Sequence, residues 1–170
     1  MNIHGYEESF EDLVKNEFPN YISKLELMEL SKASLSQFGQ KGQGDKRLIE
    51  ELNLQKDFKG CYVMFEKDKA VYVGISKCVI RRLKQHVCGN THYSATLAYR
   101  IANKEFPHNL TRNDAMKDPG FVEQFNYAKE RIGLMQVIFV EIKHPLVLNI
   151  FEPYCAMKYK TGEWNLFETH

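Results

Sequence analysis

The sequence predicts an α+β fold: a small central, mainly antiparallel sheet of three strands flanked by helices, with an N-terminal helical extension over residues 1–58. Three observations carry this. Apolar residues alternate with a period of two between Lys59 and Ser76, interrupted once by the polar stretch EKDK. One later run, MQVIFVEI at 135–142, has the length and β-branched content of a buried strand. The remaining apolar positions recur every three to four residues, the helical period.

In the first third, YEESFEDLVKNEF and NYISKLELMELSKASLSQF read as two helices, the second strongly apolar through Ile22, Leu25, Leu27, Met28 and Leu30. GQKGQGDK (39–46) is a loop by its three glycines, and DKRLIEELNL follows as a short helix with Asp45 placed to cap it. From Lys59 onward, GCYVMF and AVYVGIS form a β-hairpin. For Tyr62 and Tyr72 to share a sheet face, the simplest register sets them directly opposite. The loop is then Glu66 to Asp68, centred on Lys67, and Cys61, Val63, Val71 and Val73 make the core face. Ser76 is placed to cap the helix SKCVIRRLKQHV, in which Val79, Leu83 and Val87 form an apolar stripe beside Cys78, Arg82 and His86. Residues 89–134 read as an inserted helical region, with Asp118-Pro119 opening one helix and Gly133 closing it. The tail LVLNIFEPYCAMKYK begins as an apolar helix carrying one carboxylate, Glu152.

With 170 residues, 44% hydrophobic and 12% aromatic, the chain can bury a real core, which excludes wholesale disorder. No apolar run reaches the roughly 18 residues of a membrane span, and MNIHGYEESFEDLVK lacks the basic-then-apolar order of a secretory signal. A cytoplasmic protein without a membrane partner is expected. Cys61, Cys78, Cys88 and Cys155 show no CxxC pairing and read as reduced thiols. Cys88 and His92 are zinc-ligand types, but no second pair accompanies them. The net charge of +1 hides an asymmetry. Residues 1–58 hold 7 Lys/Arg against 11 Asp/Glu, net −4, and residues 59–170 hold 16 against 11, net +5. A polyanion is expected to meet the second part.

In this order, GCY (60–62), YVG (72–74), Arg82, Glu152 on a late helix and WN (164–165), the chain resembles the GIY-YIG nuclease superfamily. The resemblance covers about residues 59–167, so that 59–170 reads as a nuclease-like domain with a helical insertion at about 89–134. Cys61 stands where the family usually has an aliphatic residue, and Pro153 follows Glu152 directly, where a helix is expected to kink or restart.

The resemblance implies a metal-dependent endonuclease that hydrolyses phosphodiester bonds in DNA. The residue chemistry is consistent with that. Glu152 is a single hard carboxylate, sufficient to hold Mg²⁺ (or Mn²⁺) whose other positions are water and phosphate. Arg82 offers a fork of permanent donors for non-bridging oxygens. Tyr72, supported by Tyr62, is assigned as base or water-orienter; a phenol with a pKa near 10 needs cations close by to serve as a base. Gly74 is assigned to close approach of the backbone to a phosphate or to bending of the strand into the helix, Lys77 to a phosphate contact, His86 to the substrate backbone or leaving group, and Asn165 to substrate orientation or to holding the helix of Glu152. Tyr93, Tyr99 and Arg100 are of types that stack on and neutralise nucleic acid, although core packing is the commoner use of such tyrosines. His4, His92, His108, His144 and His170 form no pattern. A homodimer would suit a double-strand cutter, since one centre cuts one strand. The alternative reading is a nucleic-acid-binding module of the same fold with weak or no cleavage.

Overall fold

The computed structural model describes residues 5–167. His4 and His170 lie outside the described residues. Helix α1 (Phe10–Asp12) opens with a reciprocal cap: the Asp12 amide donates to the Ser9 hydroxyl at 3.1 Å, and the Ser9 amide donates to the Asp12 carboxylate at 3.3 Å. A π turn (Leu13–Glu17) leads straight into α2 (Phe18–Glu29). The two helices expected here are therefore one helical run. Pro19, which lacks an N–H and crowds the carbonyl four residues back, falls directly after that wide turn. The run ends at Glu29, earlier than the apolar pattern suggested. A two-residue strand, β1 (Ala33–Ser34), and a 3₁₀ turn (Leu35–Gly39) follow. Leu35 and Phe38 are fully buried at a spacing of three, which suits a 3₁₀ turn as well as an α-helix. In α3 (Asp45–Glu51), Gly44 is the cap and Asp45 is the first helical residue.

Strands β2 (Gly60–Glu66) and β3 (Lys69–Ser76) form the hairpin, and β4 (Gln136–Glu141) pairs antiparallel with the other edge of β2. The sheet has four strands in the order β1-β4-β2-β3, one more than expected. The hairpin register also differs from the expectation. Its loop is two residues, Lys67 and Asp68, with Lys67 at φ +57°, the positive value tight hairpin turns require. Glu66 faces Lys69 and Phe65 faces Ala70. Continued unbroken, that register would set Tyr62 opposite Val73 and Tyr72 opposite Val63, on different faces of the sheet. A bulge at Val71 inserts one extra residue, and beyond it Met64 faces Tyr72 and Tyr62 faces Gly74. Both tyrosines thus share one face as diagonal neighbours instead of a direct pair. The bulge supplies the parity.

Helices α4 (Val79–Cys88), α5 (Thr96–Glu105), α6 (Arg112–Ala115), α7 (Pro119–Gly133) and α8 (Pro145–Tyr159) complete the chain. As predicted, Asp118 caps α7, its carboxylate accepting from the Phe121 amide at 2.8 Å, with Pro119 in the first turn. Contacts divide the chain into two compact units. A sheet unit contains the residues up to Ala33, Phe58–Val79 and those from Gln136 onward; a helical unit contains Ser34–Asp57 and Ile80–Met135. In the sheet unit, Cys61, Val63, Phe65, Val73, Ile138 and Val140 on one sheet face pack with Phe18, Ile22 and Leu25 of α2 and Leu148, Phe151 and Cys155 of α8. In the helical unit α5 packs on α7, with Leu97, Ile101, Phe121, Phe125 and Ile132 buried.

Candidate active site

In the sheet unit, Tyr62 and Tyr72 project from the face opposite the α2–α8 core, their ring centroids 6.3 Å apart and the planes inclined at 49°. Tyr62 is 1% exposed, whereas Tyr72 is half-buried. The Tyr62 ring lies across Gly74: a Cβ there would sit 2.4 Å from both Cζ and the hydroxyl oxygen of Tyr62. Gly74 does not have a positive φ, so it serves to make room. This gives Gly74 a cross-strand packing role, an aromatic ring covering a glycine. Gly60 is required for a different neighbour, since a Cβ there would come 2.1 Å from the Val140 carbonyl oxygen on β4.

Asn165 is held within the fold. Its side-chain oxygen accepts from the Val73 amide at 2.8 Å and its side-chain nitrogen donates to the Val73 carbonyl at 2.7 Å. The amide behaves as one rung of an added strand on the outer edge of β3 and is not directed at substrate. The segment that carries it turns sharply after α8, where Lys160 adopts φ +56° and the Asn165 amide donates to the Thr161 carbonyl at 3.1 Å. Lys77 is exposed in the turn after β3, which the Ser76 hydroxyl tightens by accepting from the Cys78 amide at 3.0 Å.

Glu152 is half-buried on α8, the helix that packs on β2 and β3. Burial first, then the Cys155 thiol, then the Glu152 carboxylate push the Cys61 thiol up; that thiol lies on the core face of the sheet, opposite the face of Tyr62 and Tyr72. Pro153 removes the amide that would bond to Asn149, yet α8 runs through it from Pro145 to Tyr159 without the expected restart. Among the described residues no three His, Cys, Asp or Glu side chains converge as a metal-binding group. The donor chemistry present is one carboxylate, which fits a hard cation that keeps water and phosphate in its remaining positions.

In the helical unit, α4 is capped from a distance. The Asp57 carboxylate accepts from the Ile80 amide at 2.9 Å and the Arg81 amide at 3.1 Å. Ser76, the expected cap, bonds instead with the amide and carbonyl of Cys78. Arg82 is half-buried. It donates to the Ser94 carbonyl at 2.8 Å, the Thr96 hydroxyl at 2.8 Å and the Gln85 side-chain oxygen at 3.3 Å. All three acceptors are neutral, so these bonds fix the guanidinium without cancelling its charge. Arg81 and Lys84 instead share Asp45, at 3.3 and 3.4 Å.

His86 does not serve as an exposed substrate contact. It is 0% exposed, on the stripe that also buries Val79 and Leu83. Burial, reinforced by the nearby Arg82 charge, pushes its pKa down to about 3, so the ring is neutral at ordinary pH. Its spacing of three from Leu83 was the available signal. Sequence reasoning passed over Asp57, Ser94 and Thr96, which orient α4 and Arg82. All three act across loops, where no periodicity marks them.

Residues 58–118 match the GIY-YIG catalytic domain family. The match spans just over a third of the chain and supports the GIY-YIG nuclease superfamily. The matched span contains both tyrosines, Gly74, Lys77 and Arg82; Glu152 and Asn165 lie beyond it. No curated protein and no solved structure gives a significant match. The matched span covers the hairpin and the helix after it. Among the described residues no helix is long and apolar enough to cross a membrane.

Proposed function

We propose that this chain is an endonuclease that hydrolyses phosphodiester bonds in DNA with the help of Mg²⁺. The observation that carries the reading is the tyrosine pair: two phenols 6.3 Å apart on one sheet face, in a hairpin whose bulge and glycine serve that arrangement within a GIY-YIG domain. In such a hydrolysis water attacks phosphorus, the P–O bond to the leaving oxygen breaks, and no covalent enzyme intermediate is required. Tyr72 orients the water or takes its proton, with Tyr62 packed beneath it in support. Arg82 holds the non-bridging oxygens, its fork already fixed by Ser94 and Thr96. Lys77, exposed after β3, meets the flanking phosphate. Glu152 would hold the divalent ion, which when bound offsets phosphoryl charge and makes water more acidic.

One observation favours the binding-only reading: Arg82 already makes three hydrogen bonds within the protein. Nicking of supercoiled plasmid and labelled DNA strands, with Mg²⁺ and with EDTA, separates the two. Metal-dependent cutting is expected, falling by about 10²- to 10³-fold in Arg82→Ala, the usual loss when one electrostatic stabiliser is removed. Glu152→Gln should lose the metal dependence together with activity. DNA binding without cutting by folded wild type would establish the binding module instead.

A further inference from the structure

We infer that Tyr93 is a nucleobase-stacking residue, part of a subsite in the helical unit for an unpaired base next to the bound phosphate. The inference deepens the nuclease reading and rests on it. Tyr93 is 70% exposed, while its neighbour His92 is 5% exposed. The two rings lie 3.9 Å apart, and His92 in turn contacts Tyr99 at 5.8 Å, which meets Phe121 at 5.1 Å. An exposed phenol is thus mounted on a column of rings that runs into the protein interior. Tyr99 itself is 7% exposed and belongs to that interior.

The turn beneath Tyr93 is equally fixed. The Thr91 hydroxyl accepts from the Ser94 amide at 3.1 Å, the Ser94 hydroxyl accepts from the Thr91 amide at 3.2 Å, and the Ala95 amide donates to the Thr91 carbonyl at 2.9 Å. A ring held this way loses little freedom when it binds, so the contact area converts to affinity with a small ordering cost. Cations hold both ends of the turn. Arg82 donates to the Ser94 carbonyl at 2.8 Å, and Lys129 donates to the Asn90 side-chain oxygen at 3.3 Å. In both bonds the acceptor is neutral, leaving positive charge at both ends of the turn that carries the ring. An exposed aromatic face on a turn anchored by two phosphate-seeking cations is the chemistry of a single-stranded nucleotide subsite. Tyr127 makes the contrast: it is also exposed, at 54%, but its hydroxyl donates to Glu123 at 3.0 Å, and the carboxylate would repel a phosphate.

The test is fluorescence anisotropy of the full chain with labelled DNA single strands and duplexes, in EDTA so that the DNA stays intact. Tyr93→Ala should weaken single-strand binding by about 5- to 150-fold, the weight of one base–aromatic stack, with a smaller effect on duplex. Tyr93→Phe should bind as wild type. The slope of log affinity against log salt should stay unchanged in Tyr93→Ala, because no cation has been removed. Strands with an abasic site at each position in turn should show wild type losing the same factor at one position, and Tyr93→Ala losing nothing further there. That coincidence of the two losses is a readout a merely structural role would not produce. Wild-type affinity in Tyr93→Ala, or no sensitive abasic position, overturns the inference while leaving the nuclease reading in place. A folded wild type that binds no DNA overturns both.

Discussion

The two units fix their functional side chains by different physics. In the sheet unit Tyr62 and Tyr72 are placed by strand register: once the bulge at Val71 is set, pleat alternation decides which face each ring takes, and Gly74 decides where the Tyr62 ring lies. In the helical unit Arg82 is placed by polar contacts from outside its own helix, with Asp57 holding the start of α4 and Ser94 and Thr96 holding the guanidinium. Register is steric and all-or-none. A cap or an anchor is a hydrogen bond whose loss is graded. Mutations in the first unit should therefore abolish structure in large steps, and those in the second should tune it.

The largest effect should come from Gly60→Ala. The added methyl meets the Val140 carbonyl oxygen at 2.1 Å, a backbone atom of the paired strand that cannot move aside without separating β2 from β4. A loss at or beyond about 3 kcal/mol is expected, the upper end of overpacking penalties, read as a lowered urea midpoint or as failure to fold. Gly74→Ala meets the tip of a side chain instead, at 2.4 Å from the Tyr62 ring, and should cost about 1–3 kcal/mol. In a Tyr62→Ala background the same change at Gly74 should cost far less, because the obstacle has gone. Equal costs in both backgrounds would show that Gly74 serves the backbone and not the ring.

His86 sharpens the comparison from the helical unit. Its folded-state pKa of about 3 lies below the ordinary 6.5 because burial and the Arg82 charge disfavour the imidazolium. The unfolded chain therefore binds a proton between pH 6.5 and 3 that the folded chain does not, and stability must fall as pH drops through that window. The slope is about 1.4 kcal/mol per unit for one group, so lowering the pH from 6.5 to 5 should cost about 2 kcal/mol. His86→Leu should remove this part of the acid dependence in urea titrations at the two pH values. An unchanged slope in that variant would assign the acid sensitivity to other groups.

What the sequence made legible follows the same division. The alternation around Tyr62 and Tyr72 identified the hairpin and the shared face correctly, because a period of two survives a shift of two residues. The register itself was hidden, since the bulge at Val71 reverses the parity set by the two-residue turn and a valine carries no mark of it. Gly74 was noticed as a glycine that a hairpin does not need, yet its reason, the ring of Tyr62, depends on that hidden register. Asn165 was picked out by its place after Trp164, but its amide is used by Val73, 92 residues earlier in the chain. His86 was grouped with Arg82 by a spacing of four, when its spacing of three from Leu83 placed it on the buried side of the same helix. Asp57 lies 23 residues before the amide it accepts from, and local capping patterns do not reach that far.

Asp57 provides the smallest and most specific test. Asp57→Ala should cost about 1 kcal/mol, within the usual 0.5–2 kcal/mol range for losing a helix cap, because the Ile80 and Arg81 amides would turn to water for their partners. The carboxylate also faces the positive end of the α4 dipole, and its two oxygens accept one amide each, so Asp57→Asn should recover one of the two hydrogen bonds and only part of the stability. Amide exchange should quicken first at Ile80 and Arg81, and salt should narrow the gap between wild type and Asp57→Asn. Ser76→Ala should leave those two amides as protected as before, since the Ser76 hydroxyl bonds to Cys78 and not to the helix. If Ser76→Ala exposed them and Asp57→Ala did not, α4 would be held by the local turn after all. The orientation of Arg82 would then belong, like that of the tyrosines, to the hairpin that precedes it in sequence.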